Sequence, residues 1–350
     1  MRLTPRPDLP RTPAGAVVWP RRAGVLRGLF VSLALLASLL VLGAAAPTAT
    51  ASKLRVRYIT SNGIRYLYLV DLAALYGLRY ESNSQRFALR SRYTSLIFTV
   101  NETEAIINGT RVHLSDAPWV AKGYAVLADI DVRLLLSPIL KGSSLRRGDV
   151  RRVLIDPGHG GKDPGTQGRR SRERDVTLQV ARRLQKELVA KGYQVALTRS
   201  KDTDLALAGR SQKARSWKAD ISVSLHCNAA GPGVRGIEVF RVPPVGARST
   251  YGLQRATAAV PGNAWDADNA RLAYEVQRGA VAATGATDRG MKNARFAVIK
   301  ECPCPSVLVE MGFMSYAAEE ANLSSAAYQD KLARGIASGI SRYDAALLRR

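Results

Sequence analysis

From Val150 onward the chain alternates short apolar runs with longer segments of helical period, and that alternation restricts it to a few architectures. Val153-Leu154-Ile155, Val195-Ala196-Leu197, Ile221–Leu225 and Ser306–Val309 have the length and composition of strands. Between the first two, Val176, Val180, Leu184 and Leu188 recur every four residues, which places them on one face of a helix that Lys191 and Gly192 close. Further helices are expected around Leu205–Trp217, Asn269–Ala283 and Ala326–Ser341. The fold class is therefore α/β, a mostly parallel sheet with helices on both faces. Sheets of this kind gather their sites at the carboxyl ends of strands.

Residues 53–140 read differently, as a small β-rich α+β domain. Tyr66–Val70 and Leu96–Val100 are strand-like, and Asn62-Gly63, Asn83-Ser84 and Asn108-Gly109 supply turns. Asp71–Gly77 reads as a short helix with an Asp cap and a terminal Gly. His113 has no nucleophile or acid beside it in sequence and reads as a surface or turn residue. Lys141–Asp149 is the expected linker, and the second domain runs over 150–341. Ahead of both, no charge occurs between Arg27 and Lys53, and Leu29–Leu42 forms an apolar centre of 14 residues followed by small ones. Residues 1–51 read as a signal peptide with a cut before Ser52, or as an uncleaved membrane anchor. Either reading puts the remainder in the cell envelope, periplasmic or secreted, with attachment to the inner membrane as the alternative.

The net charge is +24. A field of that sign attracts polyanions in general, but no zinc-finger spacing, RNA-binding aromatic signature or basic region with heptads is present, so nucleic acid is not an expected partner. Three cysteines, Cys227, Cys302 and Cys304, are an odd and sparse count, not a disulfide framework. The Cys302-Pro303-Cys304 pair is expected to be a plain buried or surface pair.

Three groups carry the chemistry. His159 lies four residues past Ile155, His226 follows Leu225, and Glu310 ends the run Val307-Leu308-Val309. Both histidines of the domain thus fall on the sheet edge where a site belongs. Two imidazoles and a carboxylate form a standard zinc set with one position left for water. From the residues alone the acid is open between Glu173, just ahead of the helix, and Asp156. The glycines around His159 lack the pattern of a phosphate loop and read as a turn that lets the imidazole face inward. Arg289 is a candidate for contact with a substrate carboxylate, with a pairing to Asp288 as the alternative.

Five stretches, in order, resemble the zinc-dependent N-acetylmuramoyl-L-alanine amidases of bacterial cell-wall hydrolysis: VLIDPGHGGKDPGT (153–166), RERDVTLQVARRL (172–184), ADISVSLHCNA (219–229), TDRGMKNARFAVI (287–299) and PSVLVEMGFMS (305–315). The resemblance covers about 150–341. It implies one zinc per catalytic domain on His159, Glu173 and His226, with Glu310 as the catalytic acid/base, and leaves Asp156 to orient its loop or a ligand histidine. The implied substrate is peptidoglycan, cut between N-acetylmuramic acid and L-alanine. A zinc peptidase or deacetylase on another wall substrate is the alternative, and a non-catalytic wall-binding protein a further one. Cys227 stands where the family usually has alanine. Residues 53–140 resemble, weakly, the N-terminal module of copper amine oxidases, which implies localisation through an envelope partner.

The 28 residues between Phe240 and Asn269 exceed an ordinary α/β connection. They are expected to form a mobile basic rim loop in which Arg241, Arg248 and Arg255 guide anionic glycan.

Overall fold

Alternate residues of the central strands serve opposite faces of one sheet, and this parity sets where every functional side chain points. The computed structural model describes residues 55–252 and 254–348. The signal-peptide or anchor reading of residues 1–51 lies outside them. In chain order the first half contains β1 (Tyr58–Ser61), β2 (Ile64–Tyr68), α1 (Leu69–Tyr76), β3 (Arg79–Ser82), β4 (Arg86–Arg90), β5 (Ser95–Thr99), β6 (Glu104–Ile107), β7 (Thr110–His113), β8 (Trp119–Ala121) and β9 (Tyr124–Ala128). Helical turns α2 (Asp129–Asp131) and α3 (Ser137–Leu140) flank a π turn at Val132–Leu136. The second half runs β10 (Arg152–Pro157), α4 (Glu173–Ala190), β11 (Gln194–Leu197), α5 (Leu207–Ser216), β12 (Ile221–Asn228), β13 (Ile237–Arg241) and a 3-10 turn at Pro261–Trp265. It closes with α6 (Asp266–Thr284), β14 (Asp288–Asn293), α7 (Ala297–Lys300), β15 (Ser306–Phe313), α8 (Ala317–Leu323) and α9 (Ala326–Leu348).

The large sheet has the order β11-β10-β12-β15-β13-β14-β7-β6-β5-β4-β3. Its first four strands are parallel, β13 is antiparallel to β15, and β14 is parallel to β13. Val153, Ile155, Val223, Leu225, Val307 and Val309 enter one core with Val176, Val180, Leu184 and Leu188, the helix face expected from the sequence. On the other face Leu154 packs with Ala214, Cys302 and Cys304, and Leu308 with Phe240 and Ile299. Helices thus cover both faces of a mixed sheet.

The β-rich first half shares that sheet. β7 pairs with β14 in parallel, Val112 opposite Met291, and Phe98, Ile107 and Val112 belong to the same hydrophobic cluster as the central strands. A separate antiparallel sheet, β1-β2-β9-β8, packs around Tyr66, Tyr68 and Val126. Between the halves, the Arg146 N–H donates to Asp268 and Val150 N–H to Asp344. Two local expectations change. The first helix begins at Leu69, and Asp71 sits inside its first turn, where it accepts the Arg57 N–H at 2.8 Å and does not cap. His113 is a half-buried member of β7, because the turn expected there is occupied by a strand that joins β14.

Candidate active site

Ser222, Ser224 and His226 have the strand parity opposite to Val223 and Leu225, and Glu310 shares the parity of Leu308. His226 lies directly opposite Glu310 in the parallel β12–β15 ladder, so both side chains leave the same face. Cys227, one residue on, falls in the core on the other face, and burial raises its thiol well above the ordinary value.

His159 arrives from the end of β10 through a turn of unusual backbone. Its own φ is 59°, in the left-handed region, and the flanking Gly158 leaves no room for a side chain: a Cβ there would lie 2.3 Å from the His226 ring. Gly165 is restricted in the same way, since a Cβ would lie 2.6 Å from both the Glu173 carboxylate and the His159 ring. Behind the turn, Asp156 is buried and does not reach the histidines. It accepts hydrogen bonds from Arg210 at 2.7 Å, Thr198 at 2.5 Å and Ser224 at 2.7 Å. Arg210 also donates to the carbonyls of Pro157 at 2.8 Å and His159 at 3.0 Å, and Arg199 to those of Pro157 and Gly158. Asp156 therefore holds the loop through Arg210.

Glu173, the first residue of α4, projects between the two imidazoles. Its Oε1 lies 3.1 Å from His159 Nε2 and 2.8 Å from His226 Nδ1, and the two rings stand edge to face at 5.0 Å. The Thr166 N–H donates to Oε2 at 2.8 Å and the Cys227 N–H to Oε1 at 3.0 Å. Burial alone would raise this carboxyl, but the bonds from His159 and His226 outweigh it and hold Glu173 well below the usual carboxylate range. The Glu173 hydrogen bond in turn raises the His159 imidazole.

The donor set fits a metal. One atom from each of His159, Glu173 and His226 lies within 4.8 Å of the others. The second ring nitrogen of His159, Nδ1, is 2.7 Å from Asp163 Oδ2, a carboxylate contact of the kind that orients imidazoles in metal sites. No sequence signal beyond its place four residues after His159 marked Asp163.

Glu310 is 8 % exposed, and its Oε2 is a buried oxygen with no hydrogen-bond partner among the described residues. Burial, reinforced by the charges of Glu173 and Glu238, pushes its carboxyl well above the ordinary value. Glu238 is the residue that sequence reasoning missed. It lies opposite Glu310 in the antiparallel β13–β15 ladder, is fully buried, and takes hydrogen bonds from Arg289, Lys292 and Tyr251. An acid inside the apolar run Ile237–Phe240 was the available signal. Arg289 is thus bound to Glu238 and not to Asp288, which accepts from Gln277, Gly290 and the Arg111 N–H.

The long connection after Phe240 is also corrected. Arg241 is 2 % exposed and donates to Asn293 at 3.0 Å and to the Leu134 carbonyl at 2.6 Å. Arg255 pairs with Asp116, and Arg248 lies 3.6 Å from the same carboxylate. All three arginines expected to guide glycan are engaged by residues of the molecule itself, because partly buried cations require partners. Cys302 and Cys304 are buried with sulfurs 3.6 Å apart, beside Leu154 and Ala214.

A family model described as N-acetylmuramoyl-L-alanine amidase matches residues 153–342. Among curated proteins, the N-acetylmuramoyl-L-alanine amidase LytC of Bacillus subtilis (strain 168) is 36% identical over 191 residues, 55% of this chain and 35% of that protein. The sporulation-specific N-acetylmuramoyl-L-alanine amidase of the same organism is 32% identical over 193 residues, 55% of this chain and 67% of that one. The chain therefore spans about a third of the first relative's length and two thirds of the second's. The solved catalytic domain of CwlV, an N-acetylmuramoyl-L-alanine amidase from Bacillus (Paenibacillus) polymyxa var. colistinus, is 34% identical with a TM-score of 0.47, covering 55% of this chain and 97% of that one.

Proposed function

The chain belongs to the N-acetylmuramoyl-L-alanine amidase family, and on that premise we propose that it hydrolyses the amide bond between N-acetylmuramic acid and L-alanine in peptidoglycan. The observation that carries this reading is the convergence of His159, Glu173 and His226 beside a buried Glu310 whose Oε2 has no hydrogen-bond partner among the described residues. A zinc ion held by His159 Nε2, Glu173 Oε1 and His226 Nδ1 would supply an acidified water and a polarised carbonyl.

The chain's own groups do the rest. Glu310 Oε2, with no competing donor among the described residues, takes the proton of the attacking water and delivers it to the leaving nitrogen. Asp163 fixes the His159 ring, while Asp156 and Arg210 hold the loop that carries it. Arg289, held by Glu238 on the strand between its own and that of Glu310, is the substrate-contacting cation. In the same reading residues 1–51 direct export, the protein works in the cell envelope, and residues 53–140 engage an envelope partner.

Digestion of intact cell wall by the full chain, followed by mass analysis, tests the proposal. Free stem peptides and intact glycan strands are expected, with release abolished by a chelator and restored by zinc. Cleavage within the peptide, or loss of acetyl groups, would move the chain to the peptidase or deacetylase reading.

A further inference from the structure

The second carboxylate of the site, Glu238, belongs to a cluster that proton transfer does not use. It is 0 % exposed and shares one oxygen, Oε1, among Arg289 Nε, Lys292 Nζ at 2.7 Å and the Tyr251 hydroxyl at 3.2 Å. Lys292 also donates to the Tyr251 hydroxyl and lies 4.7 Å from its ring. Two cations against one carboxylate leave the cluster with a surplus positive charge. Its inner members are buried, Lys292 at 3 %, whereas the outer ones open to solvent, with the Arg289 side chain 29 % and Tyr251 68 % exposed. Arg289 rests on the Phe313 ring at 5.0 Å, and a guanidinium offers five N–H donors, more than Glu238 and Tyr251 absorb.

Position gives this surplus a use. Glu238 is the register partner of Glu310, and β14 lies one strand farther out. Strands stand about 4.8 Å apart, so the cluster flanks the reacting bond at roughly 5–10 Å. An extended peptide covers that span in two or three residues at about 3.3 Å each.

We propose that Arg289 and Tyr251, braced by Glu238 and Lys292, form a subsite for a carboxylate of the stem peptide within three residues of the scissile amide. The proposal rests on the amidase reading and specifies its substrate. Tyr251 reaches the subsite from the connection between β13 and α6, and that connection is pinned from the β-rich half. Arg255 is bound to Asp116 at 3.0 Å and Arg248 N–H to Ser115 at 3.1 Å, while Thr250 is paired with Asn293 through bonds of 2.8 and 2.9 Å. Asp116 is therefore a positioning residue, acting on the subsite through the loop.

The test uses the full zinc-loaded chain carrying Glu310→Gln, so that substrate binds without turnover, and calorimetry with two muropeptides. These differ only in whether the stem carboxyl nearest the cut is free or amidated. A preference for the free acid of roughly tenfold or more is expected, the worth of one charge-assisted hydrogen bond. Arg289→Lys and Tyr251→Phe should each shrink that preference, and Asp116→Asn should shrink it while speeding proteolysis within 243–260. Tyr251→Phe removes one hydroxyl from the cluster, leaves the Arg289 and Lys292 ion pairs with Glu238 in place, and keeps the test valid if Arg289→Lys misfolds. Equal affinity for acid and amide, or a preference untouched by Tyr251→Phe and Arg289→Lys, would overturn the subsite. The amidase reading fails separately, if wild-type protein releases no stem peptide from wall.

Discussion

Glu310 stands between two polar clusters built on opposite logic. On the β12 side a carboxylate, Glu173, is surrounded by two imidazoles and backbone N–H groups, and among the described residues no lysine or arginine forms an ion pair with it. On the β13 side a carboxylate, Glu238, is neutralised outright by Arg289 and Lys292. The first leaves converging lone pairs that a cation can occupy. The second has its charge answered in place and presents surplus N–H donors. The difference teaches that two glutamates of similar burial can serve as ligand and as brace, decided by what surrounds them.

The strongest way to break the comparison is to remove a donor from the first cluster. His226→Ala should leave the protein folded, with zinc content near zero and no measurable amidase rate, since two protein ligands do not retain the ion. Full occupancy by elemental analysis would dissolve the assignment. The matching change on the other side is Lys292→Met, which should keep the metal but cost about 3 kcal/mol in denaturant unfolding, because Glu238 stays buried with one partner fewer. An unchanged stability would mean that Arg289 alone neutralises Glu238.

A smaller effect comes from the strand next to β14. Burial, and then Lys292, depress the His113 imidazole from 6.5 to about 4. With the folded pKa below the unfolded one, the stability this residue contributes is present above pH 6.5 and lost as pH falls toward about 4. The loss is at most about 3 kcal/mol. Metal-free wild type and His113→Gln should converge in melting temperature across that window, and parallel curves would contradict it. Smallest of all is the outer contact of His159: Asp163→Asn should weaken zinc affinity by about 10–100-fold in competition with a chelator while leaving the fold intact.

The two clusters were unequally legible in the sequence. His159, His226 and Glu310 could be found because a strand followed by a histidine or an acid announces itself at the sheet edge. The residues alone left Glu173 and Asp156 level, since both are acids near the same loop. Their separation depends on Arg210, 54 positions away from Asp156, which draws that carboxylate to the back of the turn. Glu238 stayed hidden because its partners come from β14 and from Tyr251, and pairing across strands is not written in local period. Arg241 and Arg255 looked like solvated rim charges for the same reason: Asn293 and Asp116 lie 52 and 139 positions away. The strand–helix alternation of the second half was plain. That the β-rich half continues the same sheet rests on a β7–β14 junction with one register pair, too slight for any sequence pattern to mark.

The central claim is that binding the metal and moving the proton are duties of different residues, and Glu310→Gln tests it most directly. The substitution keeps size and removes the proposed proton acceptor, whose Oε2 lies buried without a partner among the described residues. Zinc content should equal that of wild type, while release of stem peptides from cell wall should slow by roughly 10²–10⁴-fold. A near-normal rate, or zinc lost along with activity, would contradict the account.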